Sequence, residues 1–239
     1  MNIHVVNWGE SLWQIASYYN ADINQIIIIN GLQNPDELLV GQSLLIPRDS
    51  PLQEKPAIEV NSFTYVLGQN GAPLVREAGD FLTYLSPFAY VIKEDGELQS
   101  IDDIPLIRAA DLENIIPVMA IANFTTTSRG ENLAHIVLND PQIVDNLQTN
   151  IINIMKEKGY KGLNIDFENV LPEDRVPYNN FLQSTVERLH KEGFFVSTSL
   201  APKISAEQEG LLYEAHDYEA HGRLADFVIL MTYEWGYRA

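Results

Sequence analysis

Hydrophobic positions fall into two regimes along the chain. Over residues 1–47 the apolar runs are short: "IHVV" reads as a strand, 11–19 and 23–30 carry apolar residues at helical spacing, and "LLVGQSLLIP" ends in a second strand-like run. Ser11 and Asp22 stand just ahead of the two helical stretches. There a side-chain oxygen can accept a backbone N–H that the first turn leaves unpaired. The predicted order is strand, helix, helix, strand, a small βααβ domain over residues 1–48. The next stretch, "RDSPLQEKPAIE", has two prolines and five charges and few large apolar side chains, so a linker is predicted over 49–57.

From residue 58 the period changes. Six apolar runs read as strands: "IEVNSFTYVL", "LTYLSPFAYVI", "IIPVMAIANF", "GLNIDFENV", "FFVSTSLAP" and "ADFVILMTYEW". Between the third and fourth, Asp140 can cap a helix that starts at Pro141 and carries Ile143, Val144, Leu147, Ile151 and Ile154 on one stripe. Between the fourth and fifth, Tyr178, Phe181, Leu182, Thr185 and Leu189 form a second stripe. Both helices end at a glycine, Gly159 and Gly193, followed at once by a strand. The spacing of those glycines is one β/α unit, and such units in series build a parallel sheet, open or closed into a barrel. The predicted class is therefore α/β: six β/α units over 58–239, either an open parallel sheet or a (β/α)8 TIM-barrel-type domain, incomplete. An eight-unit barrel takes about 250 residues by itself.

The fourth run holds the candidate chemistry. In "GLNIDFENV" successive side chains of a strand alternate faces, so Leu163, Ile165 and Phe167 share one face while Asp166 and Glu168 share the other, roughly 7 Å apart. In parallel barrels, reacting groups gather at the C-terminal ends of the strands, which is where these two acids lie. Paired inward carboxylates suit glycoside hydrolysis, in which one group protonates a leaving sugar oxygen while positive charge grows on the sugar carbon. The bland alternative is a pair of strand-end acids that cap helices or meet basic side chains. The spacing falls near the boundary between inverting and retaining geometries and does not choose between them.

Composition narrows the partners. Fifteen Lys and Arg against 33 Asp and Glu give a net charge of -18, which repels phosphate backbones, so nucleic acid and anionic polymers are disfavoured. There is no cysteine, hence no disulfide and no thiolate metal site. The chain has no run of 18 apolar residues, and the N-terminus lacks the basic and apolar regions of a secretion signal; no membrane span is predicted. His216 and His221 lack a metal-ligand pattern and read as structural or solvated, so neither metal nor cofactor is expected.

"GLNIDFE" resembles the strand-four signature of glycoside hydrolase family 18, the chitinase-like enzymes, Asp-x-x-Asp-x-Asp-x-Glu. Lys161 and Asn164 stand in place of its first two aspartates. The resemblance implies that Glu168 is the acid/base and Asp166 the group that orients the substrate's N-acetyl. "LMTYEWGY" resembles the same family's strand-six motif. It implies that Tyr233 hydrogen-bonds the N-acetyl carbonyl and that Met231, Glu234 and Trp235 line the sugar subsite with Asn164 and Asn123. The stretch from Leu200 to Tyr237 is similar to the branch found in spore-forming bacteria, the germination-associated peptidoglycan N-acetylglucosaminidases. Residues 3–47 resemble a LysM module. Such modules bind N-acetylglucosamine-containing glycans between two loops, here Gly9, Glu10, Ser11 and Leu12, and Asn34, Pro35, Asp36, Glu37 and Leu38.

Together these imply a retaining, substrate-assisted hydrolase of peptidoglycan or chitin-like glycan, targeted by its LysM module. Deposition on the bacterial spore without a signal peptide is expected, with a cytoplasmic place as the alternative. Family members continue beyond "EWGYRA" with further barrel strands, so the competing reading is a glycan-binding or spore-coat protein whose shortened barrel does not turn over.

Overall fold

The computed structural model describes residues 2–47, 58–125, 128 and 130–232. Two compact units divide it, Met1–Ile58 and Glu59–Ala239.

In the first unit, β1 (Asn2–Val5) pairs antiparallel with β2 (Ser43–Ile46), and α1 (Leu12–Tyr19) and α2 (Ile23–Asn30) lie between them in the chain. Ser11 and Gln14 form a reciprocal capping box: the Gln14 N–H donates to the serine hydroxyl and the Ser11 N–H to the glutamine side chain. The Asp22 carboxylate accepts the Asn24 N–H at 2.8 Å. Val6, Leu12, Ile15, Ile26, Leu44 and Ile46 form the core.

The second unit runs β3 (Asn61–Thr64), α3 (Gly68–Ala78), β4 (Tyr84–Pro87), β5 (Tyr90–Val91), α4 (Ile104–Leu112), β6 (Ile116–Ala122), α5 (Glu131–Leu138), α6 (Pro141–Lys158), β7 (Gly162–Asp166), α7 (Arg175–Lys191), β8 (Phe195–Leu200), α8 (Tyr218–Leu224) and β9 (Phe227–Leu230). The sheet order is β3-β4-β6-β7-β8-β9, every pair parallel, with β5 added beside the end of β6. This is a curled half-barrel with its helices outside, the incomplete TIM-type architecture predicted. The run 82–92, expected as one strand, is two. Pro87 has no N–H for the ladder, a cis peptide joins Phe88 to Ala89, and pairing moves from β4 to β5 beyond it.

The helix signals hold. Asp140 accepts from the Gln142 and Ile143 N–H groups, and Gly159 closes α6 in the left-handed region at φ 88°. Leu163, Ile165 and Phe167 are fully buried against Leu147, Ile151, Met155, Phe181 and Leu182 of the helix layer. On the sheet's inner face, Tyr84, Phe195 and Phe227 pack with ring centroids 5.6 to 5.8 Å apart. Phe195 lies where a β-carbon on Gly162 would sit 2.2 Å from its ring, so only glycine fits there. Further up, Asn164 donates to the Ser197 hydroxyl and accepts from Ser199, both at 3.0 Å. The inner face thus passes from an aromatic floor through a polar layer to the acid at the top of β7. Among the described residues no helix is long and apolar enough to cross a membrane.

Candidate active site

Asp166 is the last residue of β7, and its ladder partner is Ala122, the last of β6. Its side chain is 5% exposed, and its Oδ1 is buried without a hydrogen-bond partner among the described residues. A buried carboxylate oxygen left in this state at a strand end calls for a functional explanation, and contact with a ligand is one. Burial, and secondly the negative charge of Glu168, push the Asp166 carboxyl up to about 7. Near neutral pH this group therefore shares its site between the protonated and ionised forms.

Glu168 lies two residues on and is half-buried. Its backbone is held by Asn123: the Asn123 amide donates to the Glu168 carbonyl at 2.8 Å and accepts the Glu168 N–H at 2.8 Å. Asn123 is 1% exposed and also donates to the Gly130 carbonyl at 3.1 Å. Its amide is thus bonded to the backbone of Glu168 and Gly130. Asn164 is committed in the same way to Ser197 and Ser199 and belongs to the layer beneath Asp166. Met231 is buried next to the end of β9, where its N–H donates to the Leu200 carbonyl. Tyr233, Glu234 and Trp235 lie outside the described residues.

Three aromatic side chains at the strand ends were not singled out from sequence. Tyr65, just beyond β3, is 75% exposed, and partial desolvation, then the charges of Asp166 and Glu168, raise its phenol pKa. Its ring stands 4.9 Å from that of Phe88, and Phe88 stands 6.1 Å from Phe124. Tyrosine and phenylalanine at strand ends carry no signal that separates a cleft wall from core. Aromatic rings grouped at strand ends suit a ligand with apolar faces.

In the first unit, Leu12 is 3% exposed and belongs to the core, with Leu38 packed against it. Leu12 therefore serves packing. The Glu10 carboxylate accepts from the Asn7 N–H at 2.7 Å and meets the His4 ring at 2.9 Å, and these bonds hold it below the usual carboxylate range. It organises the first loop, which with Gly9 borders a hollow rimmed by the exposed Trp8 and Tyr18. Ser11 is spent on its cap. Asn34 and Asp36 are exposed on the second loop. Among the described residues no group of three or more His, Asp and Glu stands where it could hold a metal ion.

Residues 4–47 match the LysM domain family. The whole chain aligns with a cortical fragment-lytic enzyme of Bacillus anthracis at 34% identity, covering 100% of this chain and 67% of that protein. Among solved structures it superposes on the spore cortex-lytic enzyme SleL of Bacillus cereus with a TM-score of 0.74 and 33% identity, over 99% of this chain and 55% of that one. A chitinase from Chromobacterium violaceum shares the fold at TM-score 0.68 and 19% identity, over 76% of this chain and 57% of that one. The chain spans about two thirds of the curated relatives it matches and 55% of the SleL chain.

Proposed function

Because the chain belongs to the cortical fragment-lytic enzyme family, we propose that it hydrolyses N-acetylglucosamine-containing glycan of the spore cortex, with retention and with the substrate's own acetamido group as nucleophile. The observation that carries the reading is Asp166, a buried carboxylate with an unpartnered oxygen, two residues from a second acid at the C-terminal end of a central strand.

The chemistry follows from the two carboxyls. Asp166 accepts the acetamido N–H through its open oxygen, which turns the acetamido carbonyl oxygen towards the anomeric carbon. Fixing that torsion in advance removes much of the entropic cost of attack. Glu168, protonated, gives its proton to the leaving glycosidic oxygen as the acetamido oxygen forms its bond to the anomeric carbon. The resulting oxazolinium carries positive charge, which ionised Asp166 stabilises. Glu168, now a carboxylate, takes a proton from water as the water opens the ring, and both groups return to their starting state. The charge of Glu168 raises the Asp166 carboxyl, so ionisation of one acid favours the proton on the other, as a cycle that needs one acid and one base at once requires. Tyr233 would hold the acetamido carbonyl. Tyr65, Phe88 and Phe124 offer ring surface to the sugar.

The LysM unit supplies retention. The relatives' names point to the spore cortex, and a net charge of -18 suits a glycan better than a polyanion. On this account the protein works at the spore.

Substrates decide the mechanism. A pair of soluble oligosaccharides identical except for the N-acetyl on the sugar at the cleaved bond should divide completely, with turnover only of the acetylated one. Measurable cleavage of the de-N-acetylated oligosaccharide, or of a cellulose-type glucan, would contradict substrate assistance.

A further inference from the structure

We propose that Asn123 and His216 are positioning residues that lock the backbone of Phe167 and Glu168 from opposite sides and so fix where the acid/base carboxyl is presented. This rests on the assignment of Glu168 as acid/base. Neither side chain is placed to touch the sugar, and both act through the main chain.

The need arises from the end of the strand. The β7 ladder stops at Asp166, paired with Ala122 on one side, and on the other side its last partner is Thr198, opposite Ile165. Backbone N–H and C=O groups beyond that point need other partners. Asn123, one residue past the end of β6, meets Glu168 with both atoms of a planar amide, donor to carbonyl and acceptor to N–H, each at 2.8 Å. This two-bond ring reproduces with a side chain what a paired strand does with its backbone. From the other side, the His216 Nε2–H donates to the Phe167 carbonyl at 2.9 Å, while its Nδ1 accepts the Ala201 N–H at 2.9 Å. The second bond requires an unprotonated Nδ1, and burial, the main influence, holds the ring neutral. His216 therefore ties the end of β7 to the end of β8 in one fixed tautomer.

A third feature shows that the Asn123 side is built to close tolerance. Gly130 has φ +82°, and a β-carbon there would lie 2.1 Å from the Asn123 carbonyl oxygen and 2.9 Å from Nδ2. The chain before α5 folds directly over the clamp, and Gly130 returns a carbonyl to the same amide at 3.1 Å. Three of the four backbone polar groups of Phe167 and Glu168 are thus held by two buried side chains, from segments 45 and 49 residues distant.

The test uses the full chain and reads the clamp apart from turnover. In the unaltered protein the Glu168 amide should be among the slowly exchanging backbone protons; rapid exchange there would by itself overturn the proposal. Asn123→Ala should speed that exchange about tenfold or more, the equivalent of one lost hydrogen bond. His216→Gln keeps a donor that reaches Phe167, whereas His216→Asn keeps an acceptor only for Ala201. Affinity for the thiazoline of N-acetylglucosamine, a stable mimic of the cyclised intermediate, should fall about 100-fold in Asn123→Ala and His216→Asn, and stay within about threefold in His216→Gln. On a cleavable substrate the same variants should lose kcat and keep KM. Folded variants that keep Glu168 protection and bind the thiazoline like the parent would refute the clamp, as would His216→Gln failing together with His216→Asn. If the unaltered chain does not bind the thiazoline, the hydrolase assignment fails, and amide exchange at Glu168 still decides the clamp.

Discussion

Asp166 holds a proton to about pH 7 in the folded chain, against about 3.9 for an aspartate in an unfolded one. Folding therefore takes up a proton between those values, and the native state loses stability as pH rises from about 4 through about 7. Asp166→Asn removes that dependence. It should leave stability nearly unchanged at pH 3.5 and raise it at pH 8 by about 1–4 kcal/mol, read by urea unfolding at the two pH values, while hydrolysis is lost. A variant less stable than the parent at pH 8 would mean that the ionised carboxylate has good partners in the native state. This pair of acids was legible because a strand alternates faces and the two faces differ in chemistry: Leu163, Ile165 and Phe167 against Asn164 and Asp166. Asn123 and His216 were not legible in their roles, since each acts through a backbone group 45 or 49 residues away that no local spacing records. The grouping of Tyr65, Phe88 and Phe124 is not legible in sequence, because an aromatic at a strand end carries no signal of which other ring it meets.

At the level of elements, capping chemistry carried the reading. Ser11, Asp22 and Asp140 each accept the N–H groups for which they were chosen, and Gly159 and Gly193 take the left-handed conformation that stops a helix. Asp140→Ala should cost about 1 kcal/mol of stability, since two N–H groups at the start of α6 lose their acceptor. Gly162→Ala tests the inner face. Its methyl would meet the Phe195 ring at 2.2 Å, displacing a ring that also packs on Tyr84 and Phe227, for a loss of about 1–3 kcal/mol. A thermal melt of that variant matching the parent would show that the aromatic floor yields easily. The break between β4 and β5 is hard to read in the sequence because 82–92 is apolar but for Thr83 and Ser86, neither of which lies at the break. The single proline in it marks the place, yet only the pairing with β6 shows that the chain resumes as a second strand.

At the scale of the whole molecule, the proposed function gives retention to the first unit and cleavage to the second. Asn34→Ala combined with Asp36→Ala in the full chain should lower co-sedimentation with insoluble cortex peptidoglycan by about tenfold or more, because a second contact on one polymer acts at high effective concentration. Hydrolysis of a short soluble oligosaccharide should be unchanged by the same pair. The most direct test of the central claim is mass spectrometry of soluble fragments released from spore peptidoglycan by the unaltered protein and by Glu168→Gln. The account predicts new N-acetylglucosamine reducing ends from the unaltered protein, release reduced by about 100-fold or more in Glu168→Gln, and equal sedimentation of both. Equal release by the two proteins would remove Glu168 from the chemistry; no release by either, with both still sedimenting, would make the chain a glycan binder and contradict the proposed hydrolysis.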